Sequence, residues 1–234
     1  MSKFDLIAFD ADDTLWHNER LYLNAQERFV QLLAHYHEPD WIRERLYQTE
    51  TRNLAHFGYG IKAFALSMLE SAVELTEGRL SGQDVKTLID LAKAMLRAEV
   101  ELLPHVSEVV PQLAEKYPLL IITKGDLLDQ ETKVKRSGLG HFFREIEVVS
   151  HKTPETYAHL LEKHATAPAR FLMIGNSLRS DILPILELGG SAVHIPYETT
   201  WLHEMAEPPA GEPGFYALEH MGQLPTLLEQ LEKA

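Results

Sequence analysis

The sequence predicts an α/β protein built on a doubly wound, mainly parallel sheet, with an all-helical domain inserted into it. Short apolar runs alternate with amphipathic helical patterns, and one long stretch after the first run contains helical patterns only. A chain of 234 residues has room for one large domain or two modest ones.

Five apolar runs predict the strands. They lack the strict alternation of a half-exposed strand, which is typical of strands buried on both faces of a parallel sheet. The runs cover residues 4–9, 119–122 and 171–174 and, more weakly, residues 145–149 and 191–195.

The helical patterns between these runs have recognisable ends. Thr153 and Pro154 predict the cap and the first turn of one helix. Gly189 predicts the end of another, in which Pro184 must lie in the first turn or make a kink. A last helix begins near Pro225.

The stretch over residues 21–103 contains no convincing strand. It carries three helical stripes, and Ser81 with Asp84 three residues later predicts a capping box at the third. An inserted domain explains this stretch better than one long crossover between strands. We therefore expect an α/β core domain over residues 1–17 and 105–234, and a helical domain over residues 18–104.

Composition excludes several classes of protein. The chain has 22 Lys and Arg against 35 Asp and Glu, a net charge of −13, which argues against a nucleic acid polymer as partner. The absence of cysteine excludes disulfides, a thiolate nucleophile and cysteine-bound zinc. The apolar runs are too short to span a membrane and the N-terminus does not read as a signal peptide, so we expect a cytoplasmic protein with no membrane partner. An anionic substrate would then need positive charge supplied locally.

Polar residues follow the predicted strands, and ligands of open α/β sheets bind at the carboxyl ends of strands. Each residue alone has a structural explanation, as a turn former, a cap, a strand end or a solvated lysine. Two aspartates at i and i+2 are harder to explain, because they repel unless a cation binds or a proton is shared. The placement of all these polar residues at the ends of successive strands favours a single functional site. The residues are Asp10, Asp12, Asp13, Thr14, Thr123, Lys124, Lys152, Asn176 and Asp181.

These residues resemble the four motifs of the haloacid dehalogenase-like (HAD) hydrolase superfamily. Residues 10–15, Asp-Ala-Asp-Asp-Thr-Leu, are similar to motif I, usually Asp-x-Asp-Gly-Thr-Leu. Thr123 falls at the Ser or Thr of motif II and Lys152 at the Lys of motif III. Asn176, after a glycine and followed by Asp181, resembles motif IV. The helical insertion is similar to the family's cap domain, and the resemblance spans nearly the whole chain.

The resemblance implies a Mg²⁺-dependent phosphatase that hydrolyses a small phosphate monoester, a phosphorylated metabolite, through an aspartyl-phosphate intermediate. Asp10 would be the nucleophile, and Asp12 the general acid and then the general base. Thr123 and Lys152 would hold the phosphoryl oxygens. Asp12 favours phosphoryl transfer over dehalogenation, since haloacid dehalogenases lack an aspartate at this position.

The resemblance also implies a metal site. Mg²⁺ would be held by Asp10, the backbone carbonyl of Asp12, Asn176 and Asp181, directly or through water. Asn176 replaces the usual aspartate, which keeps an oxygen ligand but removes one negative charge, so metal affinity is expected to fall.

Several alternatives stay open at this stage. Asp13 replaces the usual glycine of motif I, and it either returns a charge to the site or points away and caps a turn. Lys124 lies where the family commonly has asparagine, on the surface or near the phosphate. A sugar phosphomutase uses the same core, and an inactive binding module is a third hypothesis. The protein is expected to be a monomer or a homodimer.

Overall fold

The computed structural model describes residues 2–233 and contains one six-stranded sheet in which every strand pairs in parallel. The strands are β1 Leu6–Phe9, β2 Leu119–Lys124, β3 Glu145–Val149, β4 Phe171–Gly175, β5 Ser191–His194 and β6 Phe215–Ala217. Their order across the sheet is β3-β2-β1-β4-β5-β6. The predicted α/β class with a doubly wound parallel sheet is confirmed.

The α-helices lie between and after the strands. Within residues 2–233 they are α1 Glu19–Leu33, α2 Pro39–Phe57, α3 Ile61–Leu75, α4 Gly82–Arg97, α5 Val106–Ala114, α6 Leu127–Ser137, α7 Pro154–Lys163, α8 Leu183–Glu187 and α9 Leu224–Lys233. No helix of this part of the chain is long and apolar enough to cross a membrane.

The sixth strand is missing from the prediction. β6 is three residues long and its side chains are half-buried or exposed, so no apolar run marks it. It forms because the edge of β5 offers unpaired backbone groups, and Ala192 pairs with Phe215 there. The five predicted strands are all present, although the first begins at Leu6 rather than at residue 4.

The central strand β1 is buried on both faces. Ile7 and Phe9 belong to one hydrophobic cluster, whereas Leu6 and Ala8 belong to another on the opposite face. The apolar runs are therefore continuous because each side chain meets a layer of helices or loops.

The chain divides into two compact units. The core unit comprises residues 2–17, 100–124 and 130–233 and contains the sheet. The helical unit comprises residues 18–99 and 125–129 and contains α1 to α4. Each unit has its own hydrophobic core.

The boundaries of these units differ from the predicted ones. The core unit resumes at Val100 instead of residue 105, and the segment 125–129 after β2 groups with the helical unit. Within that unit, Lys62 Nζ lies 2.8 Å from Asp126 Oδ1. A sequence pattern does not reveal such a contact, because the two residues are far apart along the chain.

Helix α2 is the one element of the helical unit without a predicted stripe. Its buried residues are Ile42, Leu46, Thr49 and Asn53, which follow helical spacing although two of them are polar. Asn53 Nδ2 donates to Ser67 Oγ at 3.2 Å, so this buried amide has a partner inside the unit.

The predicted helix ends are confirmed where local chemistry defines them. The side chain of Thr153 accepts a hydrogen bond from the backbone of Thr156 at 3.3 Å, and Pro154 opens α7. Ser81 and Asp84 form a reciprocal capping box at α4. Pro184 lies in the first turn of α8, which follows a π-helical turn over Leu178–Ile182.

Candidate active site

The candidate site lies at the carboxyl end of the central strands. The chain proceeds from β1 to β2 and β3 on one side and later adds β4 on the other, so β1 and β4 flank the point at which strand order reverses. The backbone N–H of Asp10, just after β1, donates to Ile174 in β4 at 2.8 Å. Asn176 follows β4 directly, and the topology therefore makes Asp10 and Asn176 neighbours.

Three charged side chains are joined at this point. Lys152, which follows β3, donates from Nζ to Asp10 Oδ1 at 2.5 Å and to Asp181 Oδ1 at 2.7 Å. Asp181 lies in the π-helical turn, and its other oxygen accepts the backbone N–H of Ser177 at 3.0 Å. The Lys152 and Asp181 side chains are each 1% exposed. Their pairing satisfies groups that burial would otherwise strongly destabilise.

Burial and the neighbouring charges shift the pKa values of this group. Burial raises the pKa of Asp10 to about 7, opposed by Lys152 and reinforced by Asp181. Burial alone would lower the pKa of Lys152, but the carboxylates of Asp10 and Asp181 outweigh it and raise that pKa. Lys152 therefore stays charged, whereas Asp10 would be ionised more completely by a further positive charge.

Thr14 links Asp10 to Asn176. Its Oγ1 lies 3.1 Å from Asp10 Oδ2 and 3.3 Å from Asn176 Oδ1. A hydroxyl has a single proton, so Thr14 donates to one of these oxygens at a time. A carboxylate oxygen and an amide oxygen consequently face the same small space.

This donor set fits a hard divalent cation. Mg²⁺ prefers oxygen ligands, and the oxygens of Asp10 and Asn176 that flank Thr14 are of that kind. The raised pKa of Asp10 indicates that a cation there would be favourable. Asp181 already uses one oxygen for Lys152 and the other for Ser177, so it fits an outer role better than a direct one.

Asp12 has partners of its own. Its carboxylate accepts hydrogen bonds from Trp16 Nε1 at 2.7 Å and from Gln130 Nε2 at 2.8 Å. Lys133 Nζ lies 2.7 Å from each of its oxygens. We call Trp16, Gln130 and Lys133 the Asp12 clamp.

Thr123 and Lys124 end β2 but differ in their contacts. Thr123 is buried, and its hydroxyl lies 3.3 Å from the backbone oxygen of Lys124. Within residues 2–233 its side chain makes no hydrogen bond to Asp10 or Lys152. Lys124 forms an ion pair with Glu204 and donates to Ser180 Oγ at 2.9 Å. The Lys124 side chain is 14% exposed and directed towards Glu204, which does not support the surface alternative.

Glu204 anchors the segment after β5. Its carboxylate accepts hydrogen bonds from Ser177 at 2.6 Å and Ser180 at 2.5 Å in addition to the ion pair with Lys124. Burial would raise the pKa of Glu204, but Lys124 and the two hydroxyls lower it to about 2.

Asp13 occupies a left-handed backbone conformation, with φ of 61°, and it is buried. Its backbone N–H donates to Trp16 O at 2.8 Å and closes the turn after β1. Glycine adopts this conformation without strain, which explains why the family motif usually has glycine here.

Gln130, Lys133 and Glu204 were not predicted as site residues. Gln130 and Lys133 are three residues apart on α6 and therefore share a helix face, which is a weak signal. Glu204 lies in a segment with no motif at all. Trp16 is buried in the core and also donates its indole hydrogen to Asp12.

A separate group of potential metal ligands lies on β3 and at the residue that follows α7. Glu145, Glu147 and His164 have ligand atoms within 4.8 Å of one another. Lys163 Nζ is 2.6 Å from Glu147 and 3.3 Å from Glu145, so an ammonium already pairs with both carboxylates. None of the three belongs to the predicted ligand set.

Comparison with known proteins identifies the family. Residues 4–189 match the family described as haloacid dehalogenase-like hydrolase. The match covers more than half of the chain, and the protein therefore belongs to the haloacid dehalogenase-like hydrolase family.

Two curated relatives are named as phosphatases. The chain is 30% identical over 103 residues to a glyceraldehyde 3-phosphate phosphatase of Methanothermobacter thermautotrophicus, covering 42% of this chain and 46% of that enzyme, which is less than half its length. It is 22% identical over 220 residues to the Escherichia coli enzyme 5-amino-6-(5-phospho-D-ribitylamino)uracil phosphatase YigB, covering 86% of this chain and 84% of that one.

Solved structures share the fold. A haloacid dehalogenase-like family hydrolase from Xanthomonas campestris is 39% identical, with a TM-score of 0.89 and coverage of 99% of this chain and 93% of that one. The L-2-haloacid dehalogenase of Xanthobacter autotrophicus has a TM-score of 0.67 at 18% identity, covering 97% of this chain and 98% of that one. The second likeness establishes the fold alone.

Proposed function

We propose that this hydrolase is a Mg²⁺-dependent phosphatase that acts on a small phosphate monoester. One observation carries the proposal: the buried Asp10 carboxylate lies between Lys152 and Thr14, with Asp12 two residues further along the same turn. A carboxylate fixed in this way supports nucleophilic catalysis, and a second one nearby supports proton transfer.

Charge complementarity supports a phosphoryl substrate. Lys152 is a buried cation at the strand ends, and Thr123 offers a hydroxyl at the neighbouring end of β2. We assign phosphoryl binding to these two residues, where they would stabilise charge on the equatorial oxygens.

The proposed hydrolysis proceeds in two steps, transfer of the phosphoryl group to Asp10 and its release to water. In the first, which Asp12 enters in its protonated form, the Asp10 carboxylate attacks phosphorus, the bond to the ester oxygen breaks, and Asp12 gives that oxygen its proton. In the second, Asp12 takes a proton from water, the water oxygen attacks phosphorus, and the bond to Asp10 breaks. The products are the alcohol and inorganic phosphate, and both carboxyl groups return to their starting states.

The metal would be held by Asp10, Asn176 and the backbone carbonyl of Asp12. Asp181 would contact it indirectly. When bound, Mg²⁺ supplies positive charge against Asp10 and the phosphoryl oxygens. The chain itself orients these ligands through Thr14 and Lys152. The cytoplasmic location and the monomeric or homodimeric state stay predictions from the sequence.

The test is release of phosphate, with Mg²⁺ or with EDTA. The substrates are p-nitrophenyl phosphate and a panel of metabolite esters that includes the substrates for which the two curated phosphatases are named. Asp10→Asn is the test variant, and Asp40→Asn, at an exposed position of α2, is the matched control. Phosphorus NMR separates free phosphate from a transferred ester, and 2-chloropropionate provides a halide-release arm.

We expect metal-dependent phosphate release by the wild type and by Asp40→Asn, and none by Asp10→Asn. Transfer to a sugar acceptor would make the protein a mutase, and halide release a dehalogenase. Absence of turnover on every ester would favour an inactive binding module. Each of these three outcomes overturns the proposal.

A further inference from the structure

We infer that Lys133 and Gln130 of α6 are positioning residues for Asp12, a role that rests on the proposed phosphatase function. Neither residue belongs to the motif set. Both contact the carboxylate of Asp12, the proposed general acid and base, Lys133 at 2.7 Å and Gln130 at 2.8 Å.

The geometry ties α6 to the turn that bears Asp12. Gln130 Nε2 also donates to the backbone oxygen of Lys124 at 2.9 Å, at the end of β2. Gln130 is 2% exposed, and the Lys133 and Asp12 side chains are 12% and 22% exposed. One face of α6 therefore contacts both the end of β2, at Lys124, and the carboxylate of Asp12, which follows the neighbouring strand β1.

The amide of Gln130 has only one tenable orientation. Its nitrogen donates to two acceptors, the Asp12 carboxylate and the Lys124 carbonyl, and a flipped amide would place oxygen against both. Its Oε1 is buried and has no hydrogen-bond partner in the described part of the chain. A buried oxygen without a hydrogen bond is unfavourable. Its presence is explained if the hydrogen bond from Gln130 Nε2 to Asp12 is needed for function and outweighs this cost.

Lys133 also contributes to the charge of the site. Asp10, Asp12 and Asp181 form a group of carboxylates in which Lys152 pairs with two. Lys133 pairs with the third. Together with Trp16 it holds both oxygens of Asp12, so the carboxyl group has a fixed direction for giving a proton to the leaving group and for taking one from water.

The test is a double-mutant cycle between Lys133→Met and Asp12→Asn. If Lys133 acts through Asp12, Lys133→Met lowers kcat by about tenfold or more with KM within about twofold, and adds almost nothing in the Asp12→Asn background. Lys133→Arg, which keeps the charge, should recover part of kcat. Lys135→Met, the same substitution at an exposed position of α6, should resemble the wild type.

Three results would overturn the inference: equal kcat for Lys133→Met and Lys135→Met, multiplicative effects of the two substitutions in the cycle, or a higher kcat on loss of Lys133. The last would mean that the clamp restrains Asp12 instead of aligning it. If Lys133→Met does not fold, as judged by its thermal unfolding, the cycle is run with Gln130→Met. Turnover by the wild type tests the proposed function separately, so the two failures are distinguishable.

Discussion

The carboxylate of Asp181 fills the space in which a side chain at Gly175 would lie. A Cβ on Gly175 would be 2.2 Å from Asp181 Oδ2 and 2.5 Å from Asp181 Cβ. Gly175 ends β4 in extended backbone, so contact alone requires glycine here. The glycine that precedes Asn176 thereby permits Asp181 to reach Lys152.

Gly175→Ala should therefore displace Asp181 and weaken its pair with Lys152. We expect the free energy of unfolding to fall by about 1–3 kcal/mol or more, with loss of the proposed phosphatase activity. Urea denaturation and the phosphate assay measure these effects. Gly82→Ala is the control, because no atom lies within 4 Å of a Cβ there. Equal stability of the two variants would contradict the steric account.

Asn176→Asp should strengthen metal binding. The substitution keeps the oxygen that faces Thr14 and adds a negative charge. We expect Mg²⁺ affinity to rise by roughly tenfold, since ligand charge tunes affinity at oxygen sites. Calorimetric titration with the metal measures the change, and Asn24→Asp on the exposed face of α1 controls for net charge. An affinity that responds equally to both substitutions would place the metal elsewhere.

Glu204→Gln should lower stability in a pH-dependent manner. The folded pKa of Glu204 is about 2 against an ordinary 4.5, so its contribution is present above pH 4.5 and is lost as pH falls towards 2. The difference between wild type and variant should be up to about 3 kcal/mol at pH 7, and it should shrink on acidification.

Urea unfolding from pH 7 down to pH 3 measures this difference. Glu207→Gln, at an exposed position in the same segment, should leave the free energy of unfolding unchanged at pH 7. A deficit of Glu204→Gln that stays constant at every pH would rule out the charge of Glu204 as its cause.

Asp13→Gly and Asp13→Val should diverge. Asp13 has φ of 61°, which glycine adopts freely and a β-branched residue avoids. We expect the valine variant to be less stable than the glycine variant by about 1–2 kcal/mol. Thermal unfolding of both proteins provides the comparison. Equal stability would show that the turn after β1 relaxes to another conformation.

Local features of this protein could be predicted from neighbouring residues. The five apolar runs became strands, and the caps at Thr153 and Ser81 formed as expected, because each depends on atoms a few residues apart. The buried face of α2 is not predicted from the sequence because two of its four residues, Thr49 and Asn53, are polar. The strand β6 escaped prediction because pairing with β5, not hydrophobicity, defines it.

The sequence by itself determined the α/β class, the family motifs and the candidate residues at the strand ends. Only the tertiary structure decided how these residues pair: Lys152 with Asp10 across 142 positions, Lys133 with Asp12 across 121 and Lys124 with Glu204 across 80. The positive charges that pair with these carboxylates therefore come from distant segments of the chain. Such pairs depend on strand order and helix direction, and no local pattern encodes them.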